Sequence, residues 1–192
     1  LGSAPASGDP PDGIAAQALP NEATQEEERF REKIKIARFG RDTGNLDEAR
    51  QQLLVMTFDP TLPTSVMQEL AIELSRVDLY RFSLSLCERL FECDSENADI
   101  AYELALYSSM CGKPQYVTDM YLIKACELEP NNLRYRLAFV CWLLGSHRVQ
   151  EAIVHSGSPN LCVSDSGVCG DCLSWAVKKF AEYGNVRLAD AW

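Results

Sequence analysis

The sequence has few of the features that mark membrane proteins, nucleic-acid-binding proteins and common enzymes. Its 192 residues contain no run of about 18 apolar residues, so no segment is long enough to span a membrane. Acidic residues outnumber basic ones, 28 against 18, and the net charge of −10 argues against nonspecific binding to nucleic acid or to an anionic membrane surface. A phosphate-binding glycine loop, an H-E-x-x-H motif and a Ser-His-Asp order are all missing. We therefore predict that the protein is not an enzyme.

Strand patterns are missing as well, because no alternating run of β-branched residues lies between two turns. Hydrophobic residues, 46% of the chain, instead recur at helical spacing in segments separated by short polar turns such as GRDTGN, MCGKPQ and ELEPNN. Connections this short pack each helix against its neighbour in sequence. The sequence therefore predicts an all-α fold built from antiparallel helix pairs.

The breaks between the helical segments recur at a spacing of about 34 residues. Four glycines each end one helix just before a second one, and two prolines close second helices: Gly44, Gly112, Gly145 and Gly184, then Pro60 and Pro130. The segment TGNLDEARQQLLVMTFDP combines the glycine, a Glu-Ala pair and the proline, and ACELEPNN and YGNVRLADAW repeat its end and its middle. These residues resemble the tetratricopeptide repeat family. The resemblance implies a right-handed superhelical solenoid of antiparallel helix pairs.

The resemblance also implies about four repeats and a partial fifth unit, at residues 30–63, 64–97, 98–130, 131–160 and 168–192. Asp78 stands where the family has glycine, and the third repeat has an extra residue near Lys113 and Pro114. Small residues are implied wherever two helices cross: Ala37, Ala71, Ala105 and Ala138 in first helices, and Ala49, Ser83, Ala152 and Ala189 in second helices. Stacked units bury a continuous core, because one repeat cannot cover its own apolar face.

Residues 1–23 are rich in Pro, Gly, Ala and Ser and lack sustained periodicity, a composition typical of a linker or arm. We expect this arm to be flexible and to add nothing to stability. Thr24 and Glu27 have the spacing of a capping box and helical periodicity follows, so a helix is predicted to begin at Thr24. The predicted organisation is a flexible arm, 1–23, followed by a helical repeat domain, 24–192.

Members of the tetratricopeptide family bind peptides or partner domains in a concave groove formed by the first helix of each repeat, and the resemblance implies the same here. The implied groove positions form a basic end and an aromatic end: Arg31, Arg38 and Arg41, then Tyr102, Tyr135, Phe139 and Trp142. Arginine binds carboxylates with two hydrogen bonds, and aromatic side chains give broad, rigid contacts. We predict a protein or peptide ligand with acids at one end and apolar residues at the other. The alternative is that some of these aromatic residues belong to the core.

Most of the eight cysteines stand alone in or beside apolar helical stretches, where a free thiol packs as a small hydrophobic group. These are Cys87, Cys93, Cys111, Cys126 and Cys141. A chain with this much apolar material does not need disulfide bonds, which favours a reducing compartment. We therefore predict a cytoplasmic protein.

One His and three Cys fall together in the segment HSGSPNLCVSDSGVCGDCL, residues 155–173. They are His155, Cys162, Cys169 and Cys172, the residue types of a structural zinc site, although only the last pair has a usual zinc spacing. Cys169 and Cys172 also form a C-x-x-C pair at a helix start, as in thiol-disulfide enzymes, but no strand precedes them. A third interpretation is that they are packing residues in a long turn. The main hypothesis is a noncatalytic interaction scaffold without a cofactor, and the alternative is a zinc-binding or thiol-redox protein.

Overall fold

The computed structural model describes residues 22–156 and 169–190, and helices account for most of both ranges. The helices in these ranges are α1 Glu22–Asp42, α2 Leu46–Thr57, α3 Thr64–Ser75, α4 Tyr80–Cys93, α5 Ala98–Met110, α6 Gln115–Leu128, α7 Leu133–Gly145, α8 Val149–Ser156, α9 Gly170–Glu182 and α10 Val186–Ala189. The prediction of an all-α fold is confirmed. Within the same ranges, no helix has both the length and the apolar content needed to cross a membrane.

The helices pack as consecutive pairs. Each odd-numbered helix contacts the even-numbered helix that follows it, from α1 with α2 to α9 with α10. Contacts of α1 with α3, α4 with α5, α6 with α7, and α7 with α9 join one pair to the next. Buried apolar side chains follow the same order, with one cluster running from α1 to α5 and a second from α5 to α9. The result is a solenoid of antiparallel helix pairs, as the sequence predicts.

The short turn inside each pair contains one residue with a positive φ angle. These residues are Gly44, Asp78, Gly112, His147 and Gly184, with φ between 60° and 93°. A left-handed backbone of this kind favours glycine, because a Cβ atom crowds the following carbonyl oxygen. Asp78 therefore does occupy a glycine position. The fourth turn differs from the other glycine turns: Gly145 ends α7, as predicted, but His147 takes the left-handed conformation.

Most of the small residues that the resemblance places at helix crossings are buried. Ala37, Ala49, Ala71, Ser83, Ala105 and Ala152 are all at most 1% exposed. Ala138 is only half-buried, so its predicted place at a helix crossing is wrong: the N-caps Asn97 and Asn132 are 35 residues apart, whereas Ala105 and Ala138 are 33 apart. Val140, which is fully buried, lies as far from the N-cap Asn132 as Ala105 lies from the N-cap Asn97. Ala189 is also half-buried.

The first helix begins slightly earlier than the sequence predicts. It starts at Glu22, so Thr24 lies inside its first turn and is not the N-terminal cap. Acidic residues near the start of α1 pair with arginines one turn later, Glu27 with Arg31 at 3.3 Å, for example. Carboxylates near a helix N-terminus are favourable, which accounts for a helix that extends through this acidic stretch. Residues 1–21 of the predicted arm lie outside the described residues.

Candidate functional site

The predicted basic end of the groove is held in ion pairs within the chain. Glu73 of α3 is 1% exposed and accepts hydrogen bonds from Arg38 Nε at 3.0 Å and Arg41 Nη1 at 2.6 Å. Arg76, the residue that caps the C-terminus of α3, donates to the same carboxylate at 2.6 Å. Arg38 also binds Glu69 at 3.2 Å. We refer to these five residues as the Glu73 cluster.

The Glu73 cluster corrects the expectation of a free basic surface. Arg38 and Arg41 lie one turn apart on α1, and the α1–α3 contact brings both guanidinium groups to one buried carboxylate. Arg31, the third predicted residue, pairs with Glu27 in the preceding turn of α1. A guanidinium that already has a carboxylate partner gains less from an acidic ligand, because binding then exchanges one ion pair for another. The geometry therefore favours a structural role for these arginines.

The structure places two of the predicted aromatic residues in the core. Tyr135 and Phe139 are 1% and 3% exposed. The Tyr135 hydroxyl donates to Asp99 Oδ1 at 2.6 Å, and burial, together with this carboxylate, raises the pKa of the phenol. The Phe139 ring packs on His155 with centroids 4.6 Å apart. Because a side chain this deeply buried cannot contact a partner, we leave both out of the candidate binding surface.

The other two aromatic residues, Tyr102 of α5 and Trp142 of α7, line one cavity of about 300 Å³. Leu106 of α5 and Trp175 of α9 complete its apolar wall, and Thr118 of α6 also lines it. Four helices therefore contribute to this cavity, which we call the α5–α9 cavity. Sequence analysis missed Trp175, since the groove positions were not extended into the fifth helix pair.

Hydrogen bonds fix the position of Trp142 in the cavity wall. Its indole Nε1 donates to Asp119 Oδ1 at 2.7 Å, and Asp119 Oδ2 accepts from Arg148 Nη1 at 2.6 Å. Arg148 also donates twice to Glu151, at 2.8 and 2.6 Å, and the two carboxylates raise the pKa of the guanidinium. The indole is therefore anchored through α6 and α8, which gives the cavity a preformed aromatic side.

Thr118 is unusual among the residues at its position in the second helices. Its Oγ1 is buried and has no hydrogen-bond partner among the residues that the structure describes. The fourth residue is alanine in α2 and α8, and in α4 it is Ser83, whose hydroxyl donates to the Leu79 carbonyl oxygen at 3.4 Å. A buried hydroxyl without a partner costs free energy. Thr118 therefore places an unpaired, buried hydroxyl behind the wall of the α5–α9 cavity.

The structure describes three of the four residues predicted as zinc ligands, and Cys162 lies outside the described residues. His155 is exposed and packs on Phe139. Cys169 caps α9, and its Sγ accepts the Cys172 backbone N–H at 3.4 Å. In residues 22–156 and 169–190, no three His, Cys, Asp or Glu side chains are grouped so that they could hold a metal ion. The zinc ligand set thus stays a prediction that depends on Cys162.

A further thiol, which sequence analysis assigned to apolar packing, lies beside the C-x-x-C pair. The Cys141 thiol donates to the Cys172 carbonyl oxygen at 3.6 Å. Hydrogen bonds from Cys172 lower the pKa of Cys169, whereas the Cys169 thiol and burial raise that of Cys172 to about 11. Burial raises the pKa of Cys141 to about 12. Two of the three thiols therefore have little tendency to ionise at neutral pH.

A buried carboxyl group, Glu103 of α5, is a second residue that sequence analysis did not single out. Gln68 Nε2 donates to one of its oxygens at 3.3 Å, and the Cys87 thiol to the other at 3.6 Å. Burial raises the pKa of Glu103 above its usual value, and the two hydrogen bonds offset this only in part. A single glutamate on a helix gives no sequence signal that distinguishes this environment from an exposed one.

The helix pairs, the left-handed turns and the buried small residues together define the class: the chain has the fold of the tetratricopeptide-repeat proteins. Twenty-nine solved chains match this structure. One is a structure of MamA AMB-1, 19% identical, with a TM-score of 0.57 over 87% of this chain and 85% of that one. MamA MSR-1 is also 19% identical, with a TM-score of 0.58 over 87% of this chain and 94% of that one.

A third similar structure is YrrB, described as a TPR protein with an unusual peptide-binding site. It is 19% identical to this chain, with a TM-score of 0.53 over 88% of this chain and 87% of YrrB. No family model matches the sequence. No curated protein matches it either. Identities this low show a shared fold, and function has to be argued from this chain's own residues.

Proposed function

We propose that this protein is a noncatalytic interaction module that binds a peptide or a segment of a partner protein in the α5–α9 cavity. The observation that carries the proposal is the cavity itself, in which Tyr102, Leu106, Trp142 and Trp175 form an apolar wall around about 300 Å³. Aromatic side chains in a preformed recess are the usual anchors of protein interfaces. The peptide-binding site of YrrB, a protein of the same fold, is a precedent.

The lining of the cavity favours an apolar anchor on the ligand. Leu106 and Trp175 present apolar surface, and the indole N–H of Trp142 is already bonded to Asp119. The ligand that we propose is therefore a segment with a Leu, Met or Phe side chain, and an acidic end is not required. This narrows the partner class that the sequence predicts.

A random peptide library displayed on phage and selected on the immobilised full chain tests the proposal. We expect the selected peptides to share one apolar residue and to bind Leu106→Asp at least about tenfold more weakly, since the variant buries a carboxylate against the anchor. Leu106 is exposed, so the substitution should leave the melting temperature almost unchanged. Val154→Asp is the matched control, because Val154 is exposed and does not line the cavity.

Two results would count against this function. A selection that returns no peptide with saturable binding to the full chain would remove the interaction module itself. Peptides that bind the Leu106→Asp variant as tightly as the unmodified chain would leave an interaction module but move its site away from the α5–α9 cavity.

A structural zinc site at the start of α9 is the second candidate function. The observation that favours it is the position of Cys169 and Cys172 at the start of α9, where the Cys169 Sγ accepts the Cys172 backbone N–H at 3.4 Å. Cys169 and Cys172 would supply two thiolates, and a further ligand would have to come from Cys162. Metal analysis of the purified chain tests this candidate. Stoichiometric zinc that is lost in Cys172→Ser would support this candidate. A protein that purifies without metal, and whose melting temperature is the same with and without added zinc, would exclude it.

A further inference from the structure

Helix α6 carries large apolar side chains on the face that points away from the core. Its core face consists of Thr118, Leu122 and Ala125, all buried. On the other side Tyr116, Met120 and Ile123 are 70%, 51% and 39% exposed. Single exposed apolar residues are ordinary on a protein surface, but three on one side of a helix form a continuous strip. This strip needs a separate explanation.

A basic and an acidic residue extend the strip at its two ends. The five residues are Lys113, Tyr116, Met120, Ile123 and Glu127, and all five are exposed. From Tyr116 to Glu127 the spacing alternates between four and three residues, which is the spacing of a helix face that packs along another helix, and Lys113 lies in the turn just before the N-cap Pro114. In the parts of the chain that the structure describes, neither Lys113 nor Glu127 makes an ion pair. We call these five residues the α6 stripe.

The fold does not require an apolar strip at this place. The equivalent positions of α4 are Arg81, Ser85, Glu88 and Glu92, counted from the first residue of each helix. All four are exposed and polar, as expected for a solvated helix face. At these equivalent positions, the exposed face of α4 is polar and the exposed face of α6 is mainly apolar. The α6 stripe is a property of this helix and not of the architecture.

The order of the side chains along the stripe is complementary to itself. Lys113 and Glu127 lie at equal distances from Met120 in the sequence, on opposite sides of it. When two copies of α6 pack antiparallel about Met120, the turn that carries Lys113 in each copy lies beside the C-terminal end of α6 of the other copy, which carries Glu127. A parallel arrangement would instead place like charges together at both ends, which is unfavourable. A two-fold axis is also the commonest symmetry of protein dimers.

We propose that a second copy of this chain packs on the α6 stripe, with the two α6 helices antiparallel about a two-fold axis at Met120. The interface brings the two Met120 side chains together and places Tyr116 of each copy near Ile123 of the other. One strip per copy buries less area than the roughly 1,600 Å² of a standard interface, so the dimer is weak and reversible. The site lies on the opposite side of α6 from the α5–α9 cavity and is independent of the proposed function.

Sedimentation equilibrium of the full chain, from micromolar to millimolar concentration, tests the proposal. We expect reversible dimerisation that Met120→Asp weakens at least about tenfold, because two carboxylates would meet at the axis. Ser85→Asp is the matched control, since Ser85 occupies the same position on α4 and is exposed. Circular dichroism should show the same helicity for all three proteins. A monomer at every concentration, or a dimer that Met120→Asp leaves intact, would overturn the proposal.

Charge exchange at the ends of the stripe tests the antiparallel orientation. Lys113→Glu alone gives two Glu-Glu contacts per dimer and Glu127→Lys alone gives two Lys-Lys contacts, so each variant should self-associate several-fold more weakly. An equimolar mixture of the two variants restores both opposite-charge contacts in a heterodimer. We expect the mixture to associate more strongly than either variant alone, and increasingly so at low salt. A mixture that associates no more strongly than the single variants would refute this arrangement.

Discussion

Replacing Glu73 by glutamine is the sharpest test of the view that the arginines of α1 are structural. The substitution keeps the size of the side chain and removes its charge. Glu73 is almost completely buried and accepts hydrogen bonds from Arg38, Arg41 and Arg76. With glutamine, one accepting oxygen remains, and the amide N–H₂ group faces guanidinium donors. Three positive charges would then share a space in which no buried carboxylate balances them.

The magnitude follows from the burial of the groups that lose their partner. Removing one partner of a fully buried ion pair costs about 3–5 kcal/mol. Arg38, Arg41 and Arg76 are 38%, 19% and 51% exposed, so water partly solvates their charges after the substitution. We therefore expect Glu73→Gln to lower the free energy of unfolding by about 2–3 kcal/mol. For a chain of this size the melting temperature should fall by about 5–10 °C.

Thermal unfolding measures this loss when it is followed by circular dichroism at about 222 nm, a wavelength that reports helix content. Glu69→Gln is the control, because Glu69 is half-exposed and binds Arg38 alone. Its loss should be at most about 1 kcal/mol, as for other surface pairs. Equal losses for the two variants, or a loss below about 1 kcal/mol for Glu73→Gln, would refute the structural role and return the arginines to the list of binding residues.

Three further predictions concern a turn, a buried acid and the thiols. Gly112→Ala should destabilise the protein by about 1 kcal/mol in a urea titration, because the φ angle of 68° is unfavourable for alanine although no neighbouring atom crowds the new methyl group. Gly170→Ala, at the first position of α9, is the control and should be neutral or stabilising in the same titration. Glu103 binds its proton more tightly in the folded state, because burial raises its pKa above 4.5. Its contribution to stability is therefore largest at low pH and falls as the pH rises through the raised pKa, so the chain should lose stability relative to Glu103→Gln as the pH rises above 4.5. A pH-independent difference would contradict this. Finally, the protein should not reduce a small aromatic disulfide catalytically, and turnover that Cys169→Ser abolishes would contradict the scaffold hypothesis.

The sequence predicts the fold well because the repeat imposes the same requirements several times. Gly44, Gly112 and Gly184 mark left-handed turns directly, and the fixed distance to them identifies Asp78 as a fourth such residue. Gly145 ends α7 as predicted, but the sequence does not show that the left-handed residue of this turn is His147, two positions further on.

The candidate site could be predicted only in part. Tyr102 and Trp142, two of the predicted residues, line the cavity, whereas Tyr135 and Phe139 are buried in the core. Spacing along one helix does not show which charges on another helix lie opposite. For that reason the carboxylate of Glu73 was not expected beside the arginines of α1.

Helix α6 takes part in both proposed interactions, because one of its faces lines the α5–α9 cavity and the opposite face carries the α6 stripe. Thr118 lines the α5–α9 cavity from the core side, while Met120 lies on the exposed side of the same helix turn. A second copy on the α6 stripe would therefore leave the cavity of each copy open. The dimer would present two equivalent cavities to a partner, and a partner with two apolar anchors could bind both with an affinity that neither cavity reaches alone. A weak dimer is sufficient for this effect, because binding of such a partner would itself stabilise the paired state.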